Sequence, residues 1–218
     1  MSTRGASFKN ILIVVMGCFI FSGCTVIFQK GRRTDIEKIS KLQSEVSELE
    51  RAKAELEDRL KKEIGNKEVK VEMGERGLVI TFVAEVLFDS GKAKIRDEAN
   101  EKLDKVASVV NTTVKDLNIG IEGHTDNQPI KYSGWKSNWE LSTSRALSVL
   151  HYLADQQSVD PARLSAIGYG EYHPVDTNDT VEGRQKNRRV EIVILPKTTK
   201  EKSSSPSSAP AATTPNLK

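Results

Sequence analysis

The sequence predicts an α+β fold: a sandwich of one mixed sheet and its helices, in βαβαββ order, preceded by a helical spacer. Three observations carry this prediction. Stretches such as GLVITFV and RRVEIVIL are apolar or alternating over strand-like lengths. Between them lie two amphipathic stretches, 95–111 and 137–156, with apolar residues at helical spacing. Strands that alternate with helices need crossover connections, so the sheet must contain parallel pairs. A chain of 218 residues suits one such domain with appendages.

The elements follow in order. MSTRGASFKN carries Arg4 and Lys9 and no acid, and the 11-residue apolar run ILIVVMGCFIF follows it. That is the length of a signal-peptide core and too short to span a bilayer alone. Residues 1–23 are therefore expected to be a signal peptide. FSGC resembles a bacterial lipobox, with Phe21 where leucine is usual, which would make Cys24 a lipidated N-terminus and 24–35 an anchor linker. Residues 11–28 can also be read as one 18-residue hydrophobic stretch ending near Lys30, Arg32 and Arg33, barely enough for a membrane span. Either reading places the rest of the chain outside the cytoplasm. Cys18 and Cys24 are the only cysteines, so the folded part has no disulfide and no cysteine metal site.

Residues 36–64 hold a helical period with no Gly or Pro. A heptad frame puts Ile39, Val46, Lys53 and Leu60 at a, and Leu42, Leu49 and Leu56 at d. β-branched residues at a with leucine at d favour a parallel dimer, here through residues 39–60. The seam is short, and Glu45 at g would face Glu50 at e of a parallel partner. A lone spacer, or a helix lying on its own domain, fits the same pattern. Gly65 and Asn66 end it.

The globular domain is expected over 69–196. VKVEM and GLVITFV read as strands; 95–111 as a helix with Leu103, Val106 and Val110 on its apolar face; LNIGIEGH as a strand. The helix from 137 opens on a capping box, Ser137 with Glu140 three residues on. Its apolar stripe is drawn through Trp139, Ala146, Leu150 and Leu153. RLSAIGYG and RRVEIVIL complete the strands, with Gly168 and Gly170 read as turn glycines. EGRQKNRR reads as a solvated face, with Arg184, Arg188 and Arg189 in scaffold ion pairs. The Ser-, Pro-, Ala- and Thr-rich stretch 197–218 cannot bury a core and is expected to be disordered.

Little in the chain points to catalysis. There is no GxSxG, HExxH, Walker or GxGxxG motif. His124, His151 and His173 lack metal-ligand spacing, and His124 with Asp126 offers only two ligands. No metal, no cofactor and no enzymatic activity are expected. The net charge of +3, with interleaved signs, argues against a nucleic-acid partner.

One stretch asks for another explanation. IEGHTDNQP loads a strand end with His124, Thr125, Asp126 and Asn127 before Pro129. Asp126 can serve a turn or present a carboxylate. GHTDNQPI, SNWELSTSRALSVLHYL and YGEYHPVDTNDTVEGRQKNRRVEI, in this order, resemble the OmpA-like peptidoglycan-binding domain, over roughly 70–196. The resemblance implies a non-enzymatic domain that grips the diaminopimelate side chain of the wall's peptide stem. It implies that Asp126 meets the ammonium and that Arg145, in the LSxxRA motif, meets the carboxylate. An arginine fork suits a carboxylate because it can donate two parallel hydrogen bonds. Leu141, one turn before Arg145, would floor the pocket. Asn138 and Thr125 would flank it, and Phe88 and Asp89 of VLFDSG would form another wall. Arg145 could instead make a surface salt bridge, and Phe88 could be core. The long loop QPIKYSGWKS, with Trp135, resembles the stator-like branch of the family, but 11–28 lacks the membrane aspartate of stators. The reading that results is a lipid-anchored protein of the outer membrane, on its periplasmic face, tethering that membrane to peptidoglycan. The alternative is an inner-membrane protein with a periplasmic domain serving a motor or secretion assembly.

Overall fold

The structure, a computed structural model, describes residues 34–131 and 133–197. Cys24, the signal peptide, the alternative span at 11–28 and residues 198–218 lie outside the described residues. Among the described residues no helix is long and apolar enough to cross a membrane.

Helix α1 covers 34–59 and passes through Leu60 into α2 (Lys61–Gly65). The ladder continues across the junction: the Leu60 amide donates to the Leu56 carbonyl at 2.8 Å, and that of Ile64 to Leu60 at 2.9 Å. The left-handed turn that follows is taken by Lys67, at φ 61°, and not by a glycine. Then come β1 (Val69–Gly74), β2 (Gly77–Val83), the single turn α3 (Ala84–Leu87) and α4 (Asp97–Thr112). Next are β3 (Asn118–His124) and α5 (Asn138–His151), which runs on as a π-helical turn over Tyr152–Gln156. A 3-10 turn at Pro161–Arg163, β4 (Leu164–Gly170), α6 (Val181–Asn187) and β5 (Arg189–Leu195) finish the domain.

The sheet order is β1-β2-β5-β3-β4. β3 and β4 are parallel and joined over α5; every other neighbouring pair is antiparallel. The α+β expectation holds. VKVEM and GLVITFV, both read as strands, form the β1–β2 hairpin, one strand more than the βαβαββ outline counts, and α6 is an addition that separates the last two strands. Charge hid α6 in the sequence, because it has no apolar stripe to reveal it. Its start is capped by Thr180, whose hydroxyl accepts from the Gly183 amide at 3.0 Å. Its last residue, Asn187, is fully buried and accepts from the amides of Val175 (2.8 Å) and Asp176 (3.0 Å), tying down the loop before it.

Strand alternation puts Leu78, Ile80 and Phe82 of β2, Ile119 and Ile121 of β3, and Val190, Ile192 and Ile194 of β5 on one face. Leu103, Val106 and Val110 of α4 and Ala146, Val149 and Leu153 of α5 close over them. α5 lies unusually near the sheet. A Cβ on Gly123 would sit 2.1 Å from the Ser142 carbonyl oxygen, and one on Gly168 would sit 2.5 Å from the Thr143 amide nitrogen. Gly168 thus serves close approach and not the turn it was read as; Gly170, at φ 58°, does turn the chain. The close seat sets the stripe of α5. Trp139, expected in the core, is about half exposed, and Ser142 takes the inward position.

The helical spacer is largely part of the domain. Leu49, Ala52, Leu56 and Leu60 are buried in the same core. The stripe recurs at three and four residues, the period of a straight helix on a globular surface. Polar clips hold it antiparallel to α4: Lys105 Nζ donates to Glu63 at 2.9 Å, Arg59 to Ser108 at 3.1 Å and Thr113 to Glu55 at 2.6 Å. The d-position residues Leu49 and Leu56 are consequently occupied. Ile39, Leu42 and Val46 remain exposed.

Candidate functional site

β3 cannot continue past His124. The Thr125 amide still reaches the Gly170 carbonyl at 2.9 Å, and the chain then turns away. The turn is made by Asp126, whose Oδ1 accepts from the Gln128 amide at 3.1 Å. This is the local reason for an aspartate here, and it uses one carboxylate oxygen. The other, Oδ2, accepts from Arg188 Nη1 at 2.7 Å. Asp126 therefore serves a turn and faces a cleft at once.

The cleft has a volume of about 440 Å³. Its walls are Glu85 of α3, Phe88 with the 90–91 turn, Thr125 and Asp126, the loop through Gln128–Lys131, and Arg188. α5 supplies Asn138, Leu141 and Arg145 to the same space. Trp135 ties two walls together: its indole donates to the Gly91 carbonyl at 2.8 Å.

Arg145 is almost fully buried. Its Nε donates to the Lys92 carbonyl at 3.0 Å, and its guanidinium carbon stands 5.2 Å from the centre of the Phe88 ring. That contact is favourable on the ring's negative face. Among the described residues no carboxylate lies within ion-pair distance of it. Its pKa is lowered to about 10, chiefly by burial and in smaller part by Arg188, against the opposing pull of Glu85 and Asp126. It stays charged at neutral pH, and its terminal nitrogens are without a protein anion.

Arg188 behaves differently. It pairs with both Asp126 and Glu85. Burial pulls its pKa down, but hydrogen bonds to the two carboxylates outweigh this and raise it. It fits the scaffold ion pair expected from the sequence and also lines the cleft. Asn138 braces the rim: Nδ2 reaches the Asp126 carbonyl (3.3 Å), the Gln128 carbonyl (3.2 Å) and Glu171 Oε2 (2.7 Å).

The structure thus brings together six of the residues singled out from the sequence: Asp126, Arg145, Asn138, Leu141, Thr125 and Phe88. Phe88 belongs to the core as well as to the cleft wall. The Thr125 hydroxyl is buried with no hydrogen-bond partner in the structure. Asp89 is not part of the lining; its carboxylate turns outward to Lys92 at 3.1 Å. Glu85 and Arg188 join the cleft without having been assigned to it. No motif marks Glu85, and Arg188 sits in a charge-dense run whose members look alike.

His124 points away from this cleft, to the other face of the sheet. It stacks on Tyr169 at 5.1 Å, and neither ring nitrogen has a hydrogen-bond partner among the described residues. Burial, with Arg189, His173 and Arg76 nearby, lowers its pKa to about 3. Glu122, His124 and Glu191 form the one cluster of metal-ligand type among the described residues. Its carboxylates are already taken: Arg76 holds Glu122 at 2.9 Å and Arg189 holds Glu191 at 2.6 Å. Asp126 is not part of that cluster.

The OmpA family model matches residues 87–188. Motility protein B of Bacillus subtilis is 45% identical over 150 residues, covering 69% of this chain and 57% of that protein. A second Bacillus subtilis relative, named Uncharacterized protein YtxE, is 36% identical over 166 residues, covering 74% of this chain and 68% of its own length. Among solved structures, the cell wall anchor of the T6SS from Pseudomonas aeruginosa aligns with a TM-score of 0.59 at 35% identity, over 65% of this chain and 96% of that one. The chain spans little more than half the length of the Motility protein B it matches.

Proposed function

The chain belongs to the OmpA family, and on that premise we propose that its cleft binds the peptide stem of peptidoglycan without catalysing a reaction. One observation carries the reading. A buried arginine without a protein anion and a buried aspartate face the same small cavity and are not paired with each other. A ligand group bearing an ammonium and a carboxylate on one carbon would satisfy both. The diaminopimelate side chain has that chemistry. Its carboxylate would take the free fork of Arg145, and its ammonium would approach Asp126 with Glu85 beside it. Arg188 holds Asp126 in place through its 2.7 Å contact to Oδ2.

The matched wall anchor is named for its attachment to the cell wall, which supports the same reading. Thr125, Asn138 and Leu141 shape the rim and floor, and Phe88 backs Arg145.

The chain would act as a tether between a membrane and the wall. The N-terminal sequence supports a lipid on Cys24 and the outer membrane. The likeness to Motility protein B, named for motility, supports the motor side of the second reading, in which the domain sits in the periplasm on an inner-membrane anchor. Palmitate labelling of the parent and of Cys24→Ala separates them: label lost with the cysteine supports the lipoprotein, and no label on the parent sinks it.

Binding is tested by calorimetry on the full chain in detergent. A fragment beginning at 66 would remove Leu49, Ala52, Leu56 and Leu60 from the core. A stem peptide with diaminopimelate should bind, and the same peptide with lysine, which lacks the second carboxylate, should bind poorly. Equal affinity for the two peptides refutes the assignment of Arg145.

A further inference from the structure

Two exposed aromatic rings follow in sequence the bonded residues Asn138 and Glu171, the first of which lines the cleft. Trp139 and Tyr172 are stacked with centres 5.0 Å apart and planes 23° from parallel. They are 47% and 61% exposed, although each is large and apolar enough to favour burial. The two rings stack on each other, and Gly170, at φ 58°, lies against Trp139: a Cβ there would be in ordinary contact with Cδ2 at 3.5 Å and with the amide nitrogen at 3.4 Å. Rings already stacked before binding lose less freedom on binding.

The pair adjoins a cleft residue along the chain. Asn138 lines the cleft and precedes Trp139; Glu171 precedes Tyr172. The two polar residues are joined at 2.7 Å through Glu171 Oε2. Glu171 Oε1 has no partner among the described residues.

We propose that the Trp139–Tyr172 face is a subsite for a pyranose ring of the wall's glycan strand, with Glu171 Oε1 accepting from a sugar hydroxyl. This rests on the peptide-binding reading of the cleft. The axial C–H bonds of a pyranose chair carry partial positive charge and suit the negative face of an aromatic ring. The hydroxyl edge of the same sugar needs an acceptor beside the ring, which an aliphatic partner would not. In peptidoglycan the peptide is covalently attached to the sugar, and the diamino acid is its third residue. Three extended residues span about 11 Å, and the lactyl link and the diaminopimelate side chain add to that reach. A sugar therefore stays tethered near an occupied cleft, and Trp139 follows in sequence a residue that lines it. Because the two groups are linked, the second contact adds to the first as an intramolecular step.

The test compares two soluble ligands on the full chain in detergent: the free diaminopimelate stem peptide, and the same peptide carrying its disaccharide. The disaccharide-peptide should bind about tenfold more tightly. Trp139→Ala should abolish that increment and leave affinity for the bare peptide within about twofold, while Trp139→Phe should keep part of it. In parallel, the indole resonance that disappears in Trp139→Phe should shift in the parent with the disaccharide-peptide and stay still with the bare peptide. This readout does not depend on any variant folding with an alanine at that position. Equal affinity of the two ligands, an unmoved indole, or equal loss of both affinities in Trp139→Ala overturns the subsite while the peptide reading stands. Binding of neither ligand to the parent overturns both. A parent dimer that becomes a monomer in Trp139→Ala identifies the face as a contact between copies and also overturns the subsite.

Discussion

Leu42, Leu49 and Leu56 share one heptad position, yet the structure treats them differently. Leu56 is completely buried against the domain, whereas Leu42 is 57% exposed. A coiled-coil spacer would make them equivalent: truncating either would weaken self-association and leave the domain's unfolding alone. The docked helix predicts the opposite. Leu56→Ala removes a side chain from a packed core and should cost about 2–5 kcal/mol. For a domain of this size each kcal/mol lowers Tm by roughly 2–4 °C, so a loss on the order of 5–15 °C is expected. Leu42→Ala should stay within about 0.5 kcal/mol, because it touches little. Thermal unfolding followed by circular dichroism measures both, and sedimentation of the same samples reports association. If the two variants unfold together with the parent and both shift the sedimentation, α1 is a dimer seam and the packing described here is wrong.

The cleft and the close-packed glycines give further expectations. Asp126→Asn and Arg145→Lys should each weaken binding of the diaminopimelate peptide on the order of ten- to a hundredfold in calorimetry, since hydrogen bonds to charged groups contribute about 1.5–3 kcal/mol; unchanged binding by both folded variants makes the pair structural. Gly168→Ala forces a methyl group into the α5 backbone, where a Cβ would lie 2.5 Å from the Thr143 amide nitrogen, and should lower Tm measurably, whereas Gly134→Ala meets no neighbour and is disfavoured only by its φ of 80°. His124 gives a pH signature: its folded pKa of about 3 lies below the ordinary value of 6.5, so the unfolded chain binds the extra proton. Stability should therefore fall as pH drops from about 6.5 towards 3, by up to about 1.4 kcal/mol per pH unit, and urea titrations of His124→Phe should show a shallower slope in that window.

The sheet was legible because its strands alternate over a buried face, and the long helices because their apolar residues recur at helical spacing. The cleft was legible where a residue type has few roles. An aspartate ending a strand, and an arginine one turn beyond Leu141 on the same helix, both lead into it. Legibility failed where charge carries no period: α6 is built on Thr180 and Asn187, and no stripe announces it. Trp139 was misplaced because helical spacing gives the angle between side chains and not the depth at which a helix sits. Gly123 and Gly168 draw α5 inward over small residues, and that leaves the tryptophan at the surface. Asp89 neighbours a wall residue in sequence, but Lys92 three residues on gives it a local partner outside the cleft.

The antiparallel seat of α1 on α4 has a mechanical meaning. Residues 34–42 project as a lever, and 49–63 form a clamp whose apolar stripe is laced at its middle by Glu55 to Thr113 and at its far end by Glu63 to Lys105. A pull on the N-terminal end along the helix axis would slide the whole stripe past α4, loading its contacts in parallel. A pull away from the domain would instead open them one at a time from Leu49 onward. Strength under load therefore depends on the direction in which the chain leaves residue 34, and a wall ligand in the cleft resists only as long as this clamp stays closed.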